Sequence, residues 1–487
     1  MMGGARRPML ASFAEKYTLL IVNMAASMVL ARLLTPAEVG VYALGAVLVA
    51  LAQVLRDFGV GAFLVQEKTL SRETWRAAFG ISLLVGWLLA ALVFAASWPV
   101  SAFYSEPRLR LVLQLLSIHF LLLPFSALTM SCLRRQLRFG AIFTINVSQA
   151  CVQTLCAIWL AWRGHGYLSL VYGALAGAMA GWLAGLCHRP RQLPWLPGWR
   201  GMRKIWRFGA VATGGTLIDE AGVAAPELII GKLMGVSEVA IFGKATAVIN
   251  VFNLLVTAAL SPVLFPLFSA QAREGHDVRR AYLLTARCMT ALAWPFFGFV
   301  ALMAPALVQL LYGAQWLAAV PLIRVLCLAA AVYSVFSMAR YLLVALGDVK
   351  GQARLDATAV PLRIAALWLA APYGLWWVAW AVVLGALFRS WLTLRALRRL
   401  VGLSAVLDLA ALWDAVRHSA LIALVSLCGP LAAWLFISAG AAAQLLVATL
   451  GALVLWILTA AWLRHELAAE CLRAFRKLLL LLSLSPK

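Results

Sequence analysis

The feature that most limits this chain is its succession of apolar runs. Each is about 20 residues long, the length a helix needs to cross the apolar core of a bilayer. Fourteen such runs are counted, near 13–34, 39–63, 77–99, 109–133, 141–162, 167–187, 208–231, 239–269, 282–311, 317–346, 354–371, 374–394, 420–438 and 441–463. Of the 487 residues, 64% are hydrophobic and 12% are charged, far more apolar surface than a soluble core can hide. Barrel strands need short segments of alternating polarity, and the sequence offers none. The expected fold is an all-α integral membrane protein with about fourteen transmembrane helices.

The net charge of +23 invites a nucleic-acid reading. It is rejected because the bases sit in short loops between apolar runs, where membrane topology places them. With the N-terminus inside, the inside segments hold Arg6, Arg7 and Lys16, then Lys68, Arg72 and Arg76, then Arg134, Arg135 and Arg138. A central linker adds Arg189, Arg191, Arg200, Arg203, Lys204 and Arg207. The outside segments hold Arg32, Arg108, Arg110, Arg163 and Lys232. This asymmetry predicts that both termini are cytoplasmic. The eight cysteines stand singly, without C-x-x-C spacing, which argues against a disulfide framework or a zinc site. The first apolar run reads as a retained span rather than a cleaved signal.

One stretch recurs. Val29–Val49 reads VLARLLTPAEVGVYALGAVLV, and Ile229–Ile249 reads IIGKLMGVSEVAIFGKATAVI. Arg32 meets Lys232, Glu38 meets Glu238, Val39 meets Val239 and Tyr42 meets Phe242. Each copy is an apolar helix ending in a base, a short turn with a carboxylate, and a second apolar helix. Phe103-Tyr104 and Leu311-Tyr312 echo one another at the ends of spans 3 and 9. Repeated halves of membrane transporters commonly flank a central substrate site. The expected organisation is a six-helix lobe over 1–187 and a basic cytoplasmic linker over 188–207. A second six-helix lobe follows over 208–394, then an amphipathic segment with helices 13 and 14 over 395–463. A basic cytoplasmic tail occupies 464–487. The stretches Arg395–His418 and Arg464–Lys487 are read either as interfacial segments or as an ordinary loop and tail.

The motif ARLLTPAEVGVYAL, with LRDFGVGAFLVQE at 55–67, SCLRRQLRFGAI at 131–142 and ELIIGKLMGVSEVAIFGKA at 227–245, resembles the polysaccharide transporter family of oligosaccharide flippases. That family shares a superfamily with multidrug and toxin extruders and lipid II flippases. The resemblance implies two pseudo-symmetric six-helix lobes in an inverted V around a cavity, plus two C-terminal helices. It implies flipping of undecaprenyl-pyrophosphate-linked oligosaccharide across a bacterial inner membrane for O-antigen, exopolysaccharide or capsule assembly. A polysaccharide polymerase and other assembly proteins are the implied partners, beside membrane lipid.

Ionisable residues inside spans are the candidate functional groups, because each costs roughly 3 kcal/mol at a helix centre and needs a partner or a wet cavity. The bases are Arg56, Lys244, Arg324, Arg340 and Arg363; the acids are Asp57, Asp219, Glu220 and Glu227. Arginine presents a planar fork of donors to phosphate oxygens, so the bases are the candidate substrate-binding groups. The acids are candidates for ion pairs or for the proton or sodium ion that drives the cycle. Four of the five bases follow the linker, so the second lobe is expected to be the more cationic. Arg324 and Arg340 are sixteen residues apart, on nearly opposite faces of a straight helix. Beyond Pro321 in its first turn, span 10 has no internal proline, which favours Arg324. Arg56 beside Asp57 reads equally well as a packing ion pair.

No P-loop, metal-ligand spacing or cofactor motif is present, and His119 reads as a packed helix residue. The outer connections are short, the longest being SAFYSEPRLR and YGAQWLAAV, which disfavours a membrane glycosyltransferase. The leading expectation is a non-enzymatic flippase. The alternative is a cation-coupled exporter of small amphiphiles.

Overall fold

The computed structural model describes residues 3–57, 59–67, 70–191, 193–199, 202–274, 278–400, 409–437 and 440–465. Those residues form helices and connections, with no strand among them. The chain divides into two compact units, Met1–Ile241 and Phe242–Lys487, each considered by itself below. Thirteen stretches among the described residues are helical, long and apolar enough to cross a membrane. This is a multi-pass membrane protein.

The first unit opens with α1 (Gly3–Leu33) and α2 (Pro36–Asp57), joined by a two-residue turn. Thr35 and Glu38 close that turn reciprocally. The Thr35 backbone N–H and hydroxyl donate to Glu38 Oε2 at 2.8 and 2.9 Å, and the Glu38 N–H donates back to Thr35 Oγ1 at 3.4 Å. This is a capping box at a proline-initiated helix start. α3 (Val60–Gln66) follows, then α4 (Arg72–Tyr104), α5 (Pro107–Arg135), α6 (Phe139–Trp162), α7 (Leu168–Cys187) and α8 (Met202–Leu233). α9 (Val236–Phe252) carries the chain across the boundary between the units.

The repeat is real at the level of the backbone. The first copy ends a helix at Leu33 and restarts at Pro36; the second ends at Leu233 and restarts at Val236. The two copies touch. A Cβ added at Gly40 would stand 1.8 Å from the Val236 carbonyl oxygen, so α2 meets the second turn backbone to backbone. Val41, Leu44, Leu89, Val112, Leu116 and Phe120 form the buried seam of α2, α4 and α5, and Leu228 and Val236 pack on it. α8 packs on α2, α3 and α4, so by contacts it belongs with the first unit although it lies after the linker.

The seventh of the fourteen expected spans, 208–231, falls in α8. The helix forms, but Asp219, Glu220, Glu227 and Pro226 interrupt its apolar character, and it is not one of the thirteen apolar spans. The linker after α7 folds back onto α4. Gly198 N–H donates to the Arg76 carbonyl at 2.9 Å, Arg76 Nη2 donates to the Pro197 carbonyl at 3.3 Å, and Arg189 stacks 3.9 Å over the Trp195 ring.

In the second unit a π-helical turn, Asn253–Thr257, joins α9 to α10 (Ala258–Arg273). α11 (Val278–Leu311), α12 (Val320–Ser334), α13 (Ala339–Ala345), α14 (Val349–Ala370) and α15 (Leu375–Leu400) follow. α16 (Leu409–Phe436) and α17 (Gly440–Trp462) end the described chain. α16 and α17 pack on α11, where Met303, Ala306, Ala433, Leu445 and Ala448 are buried together. The stretch expected as an amphipathic segment is mostly helix: 395–400 completes α15 and 409–418 begins α16. Residues 401–408 and 466–487 lie outside the described residues.

Two spans expected to be continuous are broken. Span 2, expected over 39–63, ends at Asp57 and restarts at Val60, with Gly59 at φ +60°. Glycine adopts this left-handed geometry without a Cβ penalty. Span 10 has no proline between Arg324 and Arg340 to bend it, yet it stops at Ser334 and resumes at Ala339. Side chains take the carbonyls there. Trp294 Nε1 and Ser334 Oγ donate to Ala331 O at 3.0 and 2.7 Å, and Tyr282 Oη donates to Val335 O at 3.3 Å. Side-chain insertion into the helical ladder breaks a helix as proline does.

Candidate functional site

The break at Gly59 brings two of the sequence motifs together. α3 is only seven residues long and is held from α5. Arg135 Nη1 donates to the Leu64 carbonyl at 2.8 Å and to the Glu67 carbonyl at 2.5 Å. These are the orphan carbonyls of a helix C-terminus, capped here by a cation. The stretches 55–67 and 131–142, distant in sequence, therefore form one wall.

That wall bounds a cavity of about 670 Å³ inside the first unit. Arg56 reaches it from the end of α2, Gly59, Val60 and Gly61 from the break, and Ser131 and Arg134 from the end of α5. Glu220 reaches it from α8, and Gln53, Ser126 and Gln149 add neutral donors and acceptors. Its remaining walls include Leu123, Pro124 and Leu128. A Cβ added at Gly61 would stand in contact with Ser131 Oγ at 3.4 Å, so α3 and α5 approach closely here. The described lining residues thus include two arginines and one carboxylate. A smaller cavity of about 50 Å³ adjoins it, sharing Leu123, Ser126, Met130 and Gln149 and adding His119, Asn146 and Trp182. Asn146 Nδ2 donates to Glu15 Oε1 of α1 at 2.6 Å. His119, read from sequence as a packed residue, borders this small cavity together with Asn146 and Gln149.

The other candidates occupy separate places. Lys244 lies in the second unit against an aromatic pair, its Nζ 4.7 Å from the Tyr312 ring centre and 5.4 Å from that of Trp316. Trp316 is fully buried, so it forms a fixed platform for the cation. Arg324 is exposed on α12, and its Nε donates to the Ala301 carbonyl at 3.3 Å. Arg340 is exposed on α13. Arg363 lies on α14 over Gly385 of α15, where a Cβ would stand 3.3 Å from Arg363 Cγ. Glu227 is half-buried on α8, next to Pro226. The side chains of Asp57 and Asp219 lie outside the described residues. Arg56 and Glu220 are thus the two sequence candidates that share a described cavity; Lys244, Arg324, Arg340 and Arg363 line neither of the two.

A charged pair between α14 and α15 is not among the sequence candidates. Arg389 Nη2 on α15 donates to Asp356 Oδ1 on α14 at 2.7 Å, while Gln352 Nε2 donates to Asp356 Oδ2 at 2.8 Å. Arg389 also lies 5.8 Å from the Tyr333 ring centre. Asp356 and Arg363 are seven residues apart, on one face of α14, and that spacing was the available signal.

A family model described as "Polysaccharide biosynthesis protein" matches residues 29–321. The chain belongs to this family. It is 24% identical over 282 residues to the teichuronic acid biosynthesis protein TuaB of Bacillus subtilis (strain 168), covering 57% of this chain and 58% of that protein. It is 25% identical over 302 residues to the succinoglycan biosynthesis transport protein ExoT of Rhizobium meliloti (strain 1021), covering 62% and 61%. The match thus spans about three fifths of these curated relatives. In fold the chain is similar to the lipid II flippase MurJ in an inward closed conformation, with a TM-score of 0.75 at 12% identity, over 94% of this chain and 99% of that one. The family match begins at Val29, within the first copy of the repeated hairpin, and includes both motifs that wall the cavity.

Proposed function

We propose that this chain is a flippase that moves undecaprenyl-pyrophosphate-linked oligosaccharide across a bacterial inner membrane during the assembly of a surface polysaccharide. The observation that carries this reading is a cavity among apolar helices whose described charged lining residues are Arg56, Arg134 and Glu220. Charges within spans are costly unless they face water or a partner, and paired guanidinium groups suit phosphate oxygens. Among the described lining residues, two bases to one acid favour an anionic head over a cationic amphiphile, which places the small-molecule exporter second. Family membership and the MurJ-like fold support transport rather than catalysis.

In this reading the polyprenyl tail stays in lipid while the first unit holds the head. The protein works by alternating access, with both termini cytoplasmic. Glu220 pairs with the bases between loads or carries the driving ion.

The test is a deletion strain in which the lipid-linked oligosaccharide is labelled and its periplasmic accessibility measured. Accumulation on the cytoplasmic side, relieved by the wild type and not by Arg56→Ala, is the expected result. Unchanged periplasmic exposure in the deletion strain overturns the flippase reading and moves the exporter to first place.

A further inference from the structure

The second unit carries a polar ladder that the charged residues do not explain. Asn250, Asn253 and Thr257 follow at i, i+3 and i+7, the spacing of one helix face. They are linked: Asn253 Nδ2 donates to Asn250 Oδ1 at 3.5 Å, and Thr257 Oγ1 donates to Asn253 Oδ1 at 3.3 Å. Both bonds are long, so a better-placed ligand group displaces them at small cost. Asn250 and Asn253 are exposed, although they lie within the apolar span Val236–Thr257. At 1.5 Å per residue, Asn250 is about 21 Å along the helix from Val236, inside the thickness of the apolar core. An exposed amide at that depth is costly against lipid tails, so this face is one that meets water or a polar ligand.

A second, independent feature marks the same place. The turn Asn253–Thr257 is π-helical, within a helix that is otherwise α from Val236 to Arg273. A π turn is costly and recurs at functional positions, because it widens the helix locally and re-aims the side chains on it. Here the ladder occupies both ends of that turn. Leu254 and Leu255 beside it are 52% and 41% exposed, so the polar strip is edged by apolar surface.

We infer that Asn250, Asn253 and Thr257 form a saccharide-contacting strip, which takes neutral sugar hydroxyls of the lipid-linked substrate. This inference rests on the flippase reading and adds to it the recognition of the sugar, distinct from that of the phosphate. The chemistry fits. Each carboxamide offers both a donor and an acceptor, as each sugar hydroxyl does, and the strip carries no charge to select for ions. The exposed leucines offer the apolar edge against which the C–H face of a pyranose ring packs.

The experiment uses the full chain in lipid nanodiscs. Two probes are compared: undecaprenyl pyrophosphate bearing a neutral trisaccharide, and undecaprenyl pyrophosphate without sugar. The wild type is expected to bind the glycosylated probe more tightly. Asn250→Leu/Asn253→Leu is expected to lose about tenfold in affinity for the glycosylated probe and less than twofold for the bare one, as the loss of one or two neutral hydrogen bonds predicts. The milder Asn250→Ala/Thr257→Val, which leaves the middle of the ladder intact, is expected to show the same selectivity with a smaller loss, and guards against misfolding of the first variant. Equal losses for both probes, or no loss for either, overturn the saccharide strip and leave the flippase reading standing. A wild type that binds neither probe overturns both.

Discussion

Arg389 and Asp356 lock α15 to α14 by a 2.7 Å charge-assisted hydrogen bond inside two membrane-spanning helices. Gln352 occupies the second carboxylate oxygen, so the acid is held from both sides. Removing one partner strands the other charge at membrane depth. Arg389→Leu is expected to destabilise the protein by about 1–3 kcal/mol. Arg389→Leu combined with Asp356→Leu is expected to recover at least half of that. Melting in detergent, taken as a double-mutant cycle, gives the coupling; strictly additive single effects would exclude this pair as a unit.

The contact between Gly40 and the Val236 carbonyl leaves no room for a side chain. Gly40→Ala forces backbone apart and is expected to cost about 1–3 kcal/mol. Gly140, with nothing within 4 Å of an added Cβ, is the matched control, and Gly140→Ala is expected to be neutral or slightly stabilising within its helix. Comparable melting points for the two variants would show that the repeated hairpins do not bear on one another in this way.

Lys244 rests on Tyr312 and on Trp316, which is fully buried. Trp316→Ala opens a large cavity and removes the platform, with an expected loss of about 3–5 kcal/mol. Lys244→Met keeps most of the packing volume and is expected to lose about 1–2 kcal/mol through the cation–aromatic contact alone. The ratio of the two losses, measured by chemical denaturation in detergent, distinguishes a ring-supported cation from one that merely lies nearby.

Glu106, in the connection between α4 and α5, accepts two side-chain hydrogen bonds from Arg108 at 2.8 and 2.9 Å, and a third from the Arg108 N–H at 3.3 Å. The Arg108 side-chain bond holds its carboxyl below the ordinary 4.5, against the opposing effect of burial. A carboxylate depressed on folding stabilises above its unfolded value and loses that contribution as pH falls through the folded one. The wild type is therefore expected to lose melting temperature below about pH 4.5 more steeply than Glu106→Gln, with the two slopes parallel above pH 6. Parallel slopes throughout the acid limb would remove Glu106 from the acid response. The effect is modest because Arg108 is 40% exposed.

Sequence alone was sufficient for the succession of apolar helices and for the repeated hairpin, though not for the breaks within spans 2 and 10. A run of about 20 apolar residues reports its own transfer into lipid, a local quantity summed along the chain. The turn at 33–36 and its copy at 233–236 were equally legible, because a capping threonine or glycine and a glutamate act over three or four residues. What the tertiary structure decided was which charges meet. Arg56 read as well for a packing pair as for a site, until the left-handed Gly59 ended α2 and Arg135 fastened α3 to α5, leaving Arg56 at a cavity with Glu220. Arg389 and Asp356 passed unnoticed because their partnership depends on α14 and α15 being neighbours in register. The break at 335–338 depended on donors from α11, above all Trp294 and Tyr282. Apolar length is paid out residue by residue along the chain, whereas a charge or a carbonyl is satisfied by whichever helix packs beside it, and only the folded arrangement says which helix that is.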